Sequence, residues 1–173
     1  MKSLYAPWRS NYTESVEEAH NKEAHTDSCV FCTHIQHTND DAKNFILKRG
    51  TYSCIMFNRY PYNAGHLLIV PNEHIGHLEH LAVPARAELM EFANASTLIL
   101  KKVAHAQGFN IGLNIGTVAG GSIPTHLHMH VLPRWIGDTN FLPTLGETKV
   151  ISFDLVKMYE DLKPHFDAIT VAK

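Results

Sequence analysis

The chain has 173 residues, a formal net charge of −2 at neutral pH and an apolar fraction of 45%. That length suits one domain with a real core, and the charge leaves no basic surface matched to duplex nucleic acid. No apolar run approaches the ~18 residues of a membrane span, and the start, "MKSLYAPWRSNYTESVEEAH", lacks the apolar stretch of a secretory signal.

Residues 1–28 are mixed and polar, with an aromatic cluster of Tyr5, Trp8 and Tyr12 interrupted by Pro7. They read as an arm that docks on a single domain formed by residues 29–173. "NFILKR", "YSCIMFN" and "HLLIVP" are strand-like, with turn signals at Arg49-Gly50 and Asn63-Ala64-Gly65, which predicts an antiparallel meander. From Pro84 to Gln107 the apolar residues Leu89, Phe92, Leu100 and Val103 suit one long helix, opened by Pro84 and stopped at Gly108. "FNIGLNIG" and "HLHMHVLP" read as two further strands joined by a loop from Gly116 to Thr125. "SFDLVKMYEDLKPHF" predicts a short C-terminal helix ending before Pro164. Strands, helix, strands make an α+β fold, a sheet covered on one side.

The stretch "SIPTHLHMHVLPRW" sets His126, His128 and His130 on alternate residues, with Leu127, Met129 and Val131 between them. On a strand the imidazoles share one face and the apolar residues pack on a core. Same-face neighbours lie roughly 7 Å apart, too far to bond one another but close enough to act on one bound group. Three uses compete: metal ligands, a central nucleophile with orienting neighbours, and an inert polar face. Upstream, Gly120 and Gly121 precede Ser122, a backbone able to approach an anion and present N–H groups.

Three cysteines, two of them as Cys29-x-x-Cys32, make a poor disulfide framework and suggest a reducing cytoplasm. A thioredoxin-like βαβ context for a redox pair is absent, whereas zinc needs two further ligands and histidines are plentiful. His34 and His37 lie close by in sequence. Cys54, mid-strand among apolar neighbours, reads as a buried small residue, and Trp8 and Trp135 as core or interface aromatics.

"HLHMHVL" resembles the alternating signature of the histidine triad family of nucleotide hydrolases and transferases. "NRYPYNAGHLLIVPNEH" looks like that family's Asn-containing strand and the Gly-His strand after it, so the likeness spans about residues 29 to 141. "PRW", "GDTNF", "AGGSIP" and "YAPWR" are most similar to the bacterial diadenosine tetraphosphate phosphorylase branch. The resemblance implies a five-stranded antiparallel sheet with one long helix and a short C-terminal helix, and a homodimer that joins two sheets into one. It implies His128 as the nucleophile, His130 on the phosphate oxygens, His66 in support and His126 as the first triad histidine. Asn114, Gly121 and Ser122 would line the phosphate site, Asn58 would meet the ribose, and Phe57 would flank the adenine. In zinc-containing relatives the partners of the cysteine pair correspond to His74 and His126, with His77 and His80 as rivals to His74. Such a zinc would be structural, and magnesium would arrive with the polyphosphate.

The expected partners are adenine nucleotides and dinucleoside polyphosphates. The expected activity is cleavage of diadenosine tetraphosphate through nucleotidyl-His128 with phosphate as acceptor, giving ADP and ATP. The alternatives are a hydrolase using water on dinucleoside polyphosphates or phosphoramidates, a catalytic zinc hydrolase, and a nucleotide-binding module without turnover.

Overall fold

The computed structural model describes residues 29–141, 145–146 and 153–170. The arm expected over residues 1–28, Trp8 included, lies outside the described residues. Five strands form one antiparallel sheet, as expected, and their order is β1-β2-β3-β5-β4. They are β1 Ile46–Arg49, β2 Ser53–Phe57, β3 Leu67–Pro71, β4 Gly108–Leu113 and β5 Met129–Arg134.

The pleat sends alternate residues to two different cores. Ile55, Phe57, Leu67, Ile69, Met129 and Val131 join the main core, and Cys54, Met56, Leu68 and Val70 join a second one on the opposite face. β2 and β3 are therefore buried along their whole length, which explains their nearly continuous apolar sequence. β5 instead alternates buried and half-buried residues. The expectation of a sheet covered on one side needs correction: a helix the sequence reading missed, α1 Val30–Gln36, closes part of the other face through Phe31 and Ile35.

Helix α2, Val83–Val103, covers the main core with Ala85, Leu89, Phe92, Ala93, Ser96 and Leu100 at helical spacing. Its buried Glu88 accepts the Tyr52 backbone N–H at 2.7 Å, tying the helix to the β1–β2 turn. Pro84 sits in the first turn as predicted, but the helix stops at Val103, four residues short of Gln107. His105 takes a left-handed φ of 52°, and the Gln107 N–H bonds to the Arg134 carbonyl at 2.9 Å. The chain leaves the helix early because those residues are needed to open the β4–β5 ladder. Trp135 packs against the main core and donates from Nε1 to the Ala104 carbonyl at 3.2 Å; Cys54 is buried and free.

The C-terminal helix also departs from expectation. α3 spans Leu155–Asp167 and passes through Pro164 instead of ending before it. Asp154 caps its start by accepting from the Val156 and Lys157 N–H groups, and Tyr159, Leu162 and Phe166 are buried. Anchoring Phe166, fully buried in the main core, holds the last turn on the sheet despite the bond that proline cannot donate. Because Pro164 is exposed, its replacement disturbs no packing. Pro164→Ala should raise the unfolding free energy by about 1–3 kcal/mol, read from the urea midpoint at unchanged slope.

Candidate active site

The three histidines do not all stand on the strand. β5 begins at Met129, so His126 and His128 lie in the extended segment leading into it, a correction to a strand running from His126. That segment is held from the side: the Leu127 N–H bonds to the Ile75 carbonyl at 2.7 Å. A Cβ at Gly76 would press into the Pro124 carbonyl, so only glycine lets the two segments come this close. The apolar residues between the histidines behave as expected, with Leu127, Met129 and Val131 all in the main core.

Each imidazole makes a hydrogen bond that fixes its tautomer. His126 donates from Nε2 to the Pro71 carbonyl at 2.9 Å, which leaves Nδ1 as a lone pair. His128 donates from Nδ1 to the His126 carbonyl at 2.9 Å, which leaves Nε2 as a lone pair. His130 is set through a relay. The Tyr62 backbone N–H donates to His66 Nδ1 at 3.1 Å, so His66 carries its proton on Nε2, 2.9 Å from His130 Nδ1. His130 Nδ1 therefore accepts and its Nε2 carries the proton; the Asn114 amide nitrogen lies 3.5 Å from it, so this proton order requires the Asn114 amide to turn its oxygen to that side. The Asn58 amide reinforces this order by donating to His66 Nδ1 at 3.3 Å while its Oδ1 accepts the Tyr60 N–H at 2.9 Å.

Burial keeps these rings neutral. Desolvation is the largest cause in each case, and it drives His66 down to about 3, His126 to about 4 and His130 to about 4, with His128 lowered as well. The rings of His128 and His130 approach to 5.0 Å between centroids, nearer than the backbone spacing of a strand suggests. Neither can hold a proton without raising the cost of a proton on the other.

His128 and His130 open onto a cavity of about 530 Å³ that also reaches Phe57, Asn58 and Ser122. Gly121 is buried behind it, where a Cβ would lie 3.4 Å from the Asn114 carbonyl. The structure thus gathers His66, Phe57, Asn58, Asn114, Gly121 and Ser122 around His128 and His130. The His126 ring points elsewhere, into a second cluster. Sequence reading missed Val30, Phe31, Asn44, Arg59, Tyr60 and Ile123 in the cavity wall, and it treated His34 as a metal rival when it too lines the cavity. A helix over residues 30–36, which puts Val30, Phe31 and His34 on one face, was the signal available.

Cys29, Cys32, His74 and His126 converge so that their ligand atoms all lie within 4.8 Å of one another. His77, His80 and His37 are not part of this group. Sγ of Cys29 is 3.4 Å and Sγ of Cys32 is 3.5 Å from His126 Nδ1, and Cys32 Sγ is 3.2 Å from His74 Nδ1. A tetrahedral ion at ordinary zinc–ligand distances would put sulfur and nitrogen about 3.6 Å apart, so the donors fit such a metal. The free His126 Nδ1, with Nε2 tied to a carbonyl, is the arrangement metal-bound imidazoles adopt. Without a cation, burial and the neighbouring Cys29 push the Cys32 thiol up to about 11; a metal would reverse that.

The HIT domain family model matches residues 39–135. The chain belongs to the histidine triad (HIT) family. AP-4-A phosphorylase of Mycobacterium tuberculosis is 38% identical over 151 residues, which cover 87% of this chain and 77% of that protein. The asymmetrical bis(5'-nucleosyl)-tetraphosphatase of Schizosaccharomyces pombe is 29% identical over 89 residues, covering 51% of this chain and 48% of that one. Among solved structures, a Zn-bound histidine triad family protein from Mycobacterium smegmatis aligns with a TM-score of 0.66 at 23% identity, over 83% of this chain and 96% of that chain. That likeness is one of fold. Within the HIT frame, the three histidines fall on the lead-in and first residues of β5, with His128 and His130 next to the cavity.

The protonation order predicts a pH response. His66 and His130 titrate lower when folded than the ordinary histidine value, so the unfolded chain binds more protons at mildly acidic pH. Their contribution to stability is complete above about pH 6.5 and is lost as pH falls toward the folded values. Nitrogen-15 NMR of the imidazoles should find both rings neutral at about pH 5. For the second cluster, metal analysis of the purified protein should find one divalent ion per chain, and Cys29→Ser or Cys32→Ser should lose it and lower the Tm.

Proposed function

We propose that this protein cleaves diadenosine tetraphosphate by way of a nucleotidyl-His128 intermediate, with phosphate as the acceptor. The observation that carries the reading is the His128 Nδ1–H bond to the His126 carbonyl at 2.9 Å. It leaves Nε2 as the lone pair on a ring that borders the cavity. The 38% identity to an AP-4-A phosphorylase supports the choice of substrate.

His128 Nε2 attacks the phosphorus of one adenylyl group, and the P–O bond to the rest of the polyphosphate breaks, releasing ATP. A phosphate oxygen then attacks the same phosphorus, the P–N bond breaks, and ADP leaves with the imidazole restored. His130 presents an Nε2–H to the phosphate oxygens. It does so as a neutral donor, because its Nδ1 already accepts from His66. His66 orders that ring without reaching substrate, and Gly121, Ser122 and Asn114 complete the phosphate side. Asn58 holds both the loop to Tyr60 and His66, and its second acceptor lone pair serves the ribose. Phe57 borders the base side of the cavity, with its side chain packed in the main core. His126 contributes its carbonyl to His128 and its ring to the metal. Magnesium enters with the polyphosphate.

Cys29, Cys32, His74 and His126 would hold a zinc ion whose role would be structural. Two of its ligands flank or begin α1, which carries Phe31 against the His128 ring at 5.1 Å, and the other two bracket the approach to β5. Held by Cys29, Cys32, His74 and His126, it would clip that junction together. Two chains pair through β4, whose outer edge has no partner strand among the described residues, to give the homodimer.

His128→Asn should lower kcat by roughly a thousandfold or more, with the Tm held within a few degrees. Product analysis decides the acceptor. Phosphate should shift the products from AMP plus ATP to ADP plus ATP; AMP plus ATP with or without phosphate would instead make the protein a hydrolase. Quenching in alkali, where a P–N bond to imidazole survives, should find adenylate on residue 128, and its absence during turnover would remove the covalent step.

A further inference from the structure

The loop between β2 and β3 carries the groups that order His130, and the Asn63 side chain ties that loop to the end of β5. Asn63 is only 7% exposed, whereas Tyr60 and Tyr62 beside it are exposed. Its Nδ2 donates to the Pro133 carbonyl at 3.0 Å and to Asp138 Oδ2 at 2.8 Å. The reaction above assigns no work to Asn63 or Asp138. Yet Asn63 directly follows Tyr62, whose backbone N–H donates to His66 Nδ1 at 3.1 Å, and its own carbonyl accepts the His66 N–H at 3.3 Å. The Tyr62 ring also lies against both imidazoles, 4.7 Å from His66 and 5.8 Å from His130 between centroids. A shift of Asn63 moves the donor and the ring together.

Asp138 is placed to hold that side chain still. Its carboxylate is itself only 7% exposed, a costly position for a charge without partners. Arg134 offsets the charge with a fork, Nε to Oδ2 at 2.6 Å and Nη2 to Oδ1 at 2.8 Å, and the Trp135 N–H donates to Oδ2 at 3.1 Å. These donors, Arg134 foremost, hold the Asp138 carboxyl well below the usual carboxylate range, so it stays an acceptor near neutral pH. Arg134 in turn donates from Nη1 to Asn110 Oδ1 on β4 at 2.8 Å. The Asn63 amide has one orientation here, because its nitrogen faces two acceptors. The chain runs from His130 along β5 to Arg134 and on to Asp138, so the clamp references the loop to the strand that carries His130.

We propose that Asn63, clamped by Asp138, is a positioning residue: it keeps the Tyr62 N–H on His66 and so holds His130 in the one tautomer that presents an Nε2–H to the cavity. A single neutral hydrogen bond is modest once water competes for it, so the relay orders His130 only while its first donor stays in place. The effect on turnover rests on the proposed cleavage, and the ordering of the rings rests on the hydrogen bonds alone.

Asn63 does not take a left-handed φ, so alanine there strains no backbone. Asn63→Ala should lower kcat on diadenosine tetraphosphate by about ten- to a hundredfold, with KM held within about twofold. Nitrogen-15 NMR of the resting protein should show His66 and His130 each as one tautomer in the wild type, and a mixture with the Nδ1–H form in the variant. Asn63→Ser, which keeps a hydroxyl beside the Pro133 carbonyl, should show the same mixing at a smaller loss of Tm. Arg134→Lys is the control. It breaks the fork and lowers the Tm, but Asp138 still meets Asn63, so the tautomers stay unmixed and kcat stays within about twofold. Rings already mixed in the wild type, or unmixed in both Asn63 variants, overturn the inference. So does mixing that leaves kcat untouched. So does a loss of kcat in Arg134→Lys that matches Asn63→Ala at equal Tm, since that marks a purely structural role. If no dinucleotide is cleaved, the cleavage reading fails on its own, and the ring nitrogen signals still decide whether Asn63 orders the relay.

Discussion

The hydrogen bond from His128 Nδ1 to the His126 carbonyl is the constraint from which the rest of the site follows. A neutral imidazole has one proton for two nitrogens, so fixing one end fixes the other. The same economy sets His126, tied to Pro71, and His130, set by His66. One short run of chain thus yields three different functions from one residue type: a lone pair toward a metal cluster, a lone pair toward the cavity, and a proton toward it. None of these differences lies in the imidazole. Each comes from the backbone or side chain on its far side.

The sheet makes this possible by being buried on both faces. Alternate residues of β2, β3 and β5 anchor the main core under α2 and α3, and the opposite face is left for chemistry. Had that face been solvated, the histidines would titrate near their ordinary value and their protonation would be mixed at neutral pH. Desolvation by α1 and the loops keeps them neutral, and the fold supplies the acceptors and donors they need. The cost falls at acid pH, where an unfolded chain takes up protons that the folded one refuses.

α1 connects the two clusters. Cys29 and Cys32 hold its start against His74 and His126, while Val30, Phe31 and His34 form part of the cavity wall. The Cys/His cluster and the cavity wall therefore share one short helix. Seven residues are too few to be stable as a helix alone, so its position depends on packing and on the cluster at its N-terminus.

The order of residues determined the strands, because β2 and β3 are apolar enough to be buried wherever they pair, and it determined the alternation that sends Leu127, Met129 and Val131 inward. The four-residue metal group was legible only through resemblance, because His74 and His126 lie far from the cysteines in sequence and folding alone brings them together. Helix ends were less legible. The long helix stops early because Gln107 is claimed by Arg134, and the last one passes through Pro164 because Phe166 is buried; both outcomes hang on partners far away in sequence. The short helix after Cys29 had no capping signal to announce it. Above all, the tautomers and the wall of the cavity were decided by tertiary structure alone. A sequence names the imidazole, but which nitrogen keeps the proton depends on the carbonyl or N–H that folding brings to its other side.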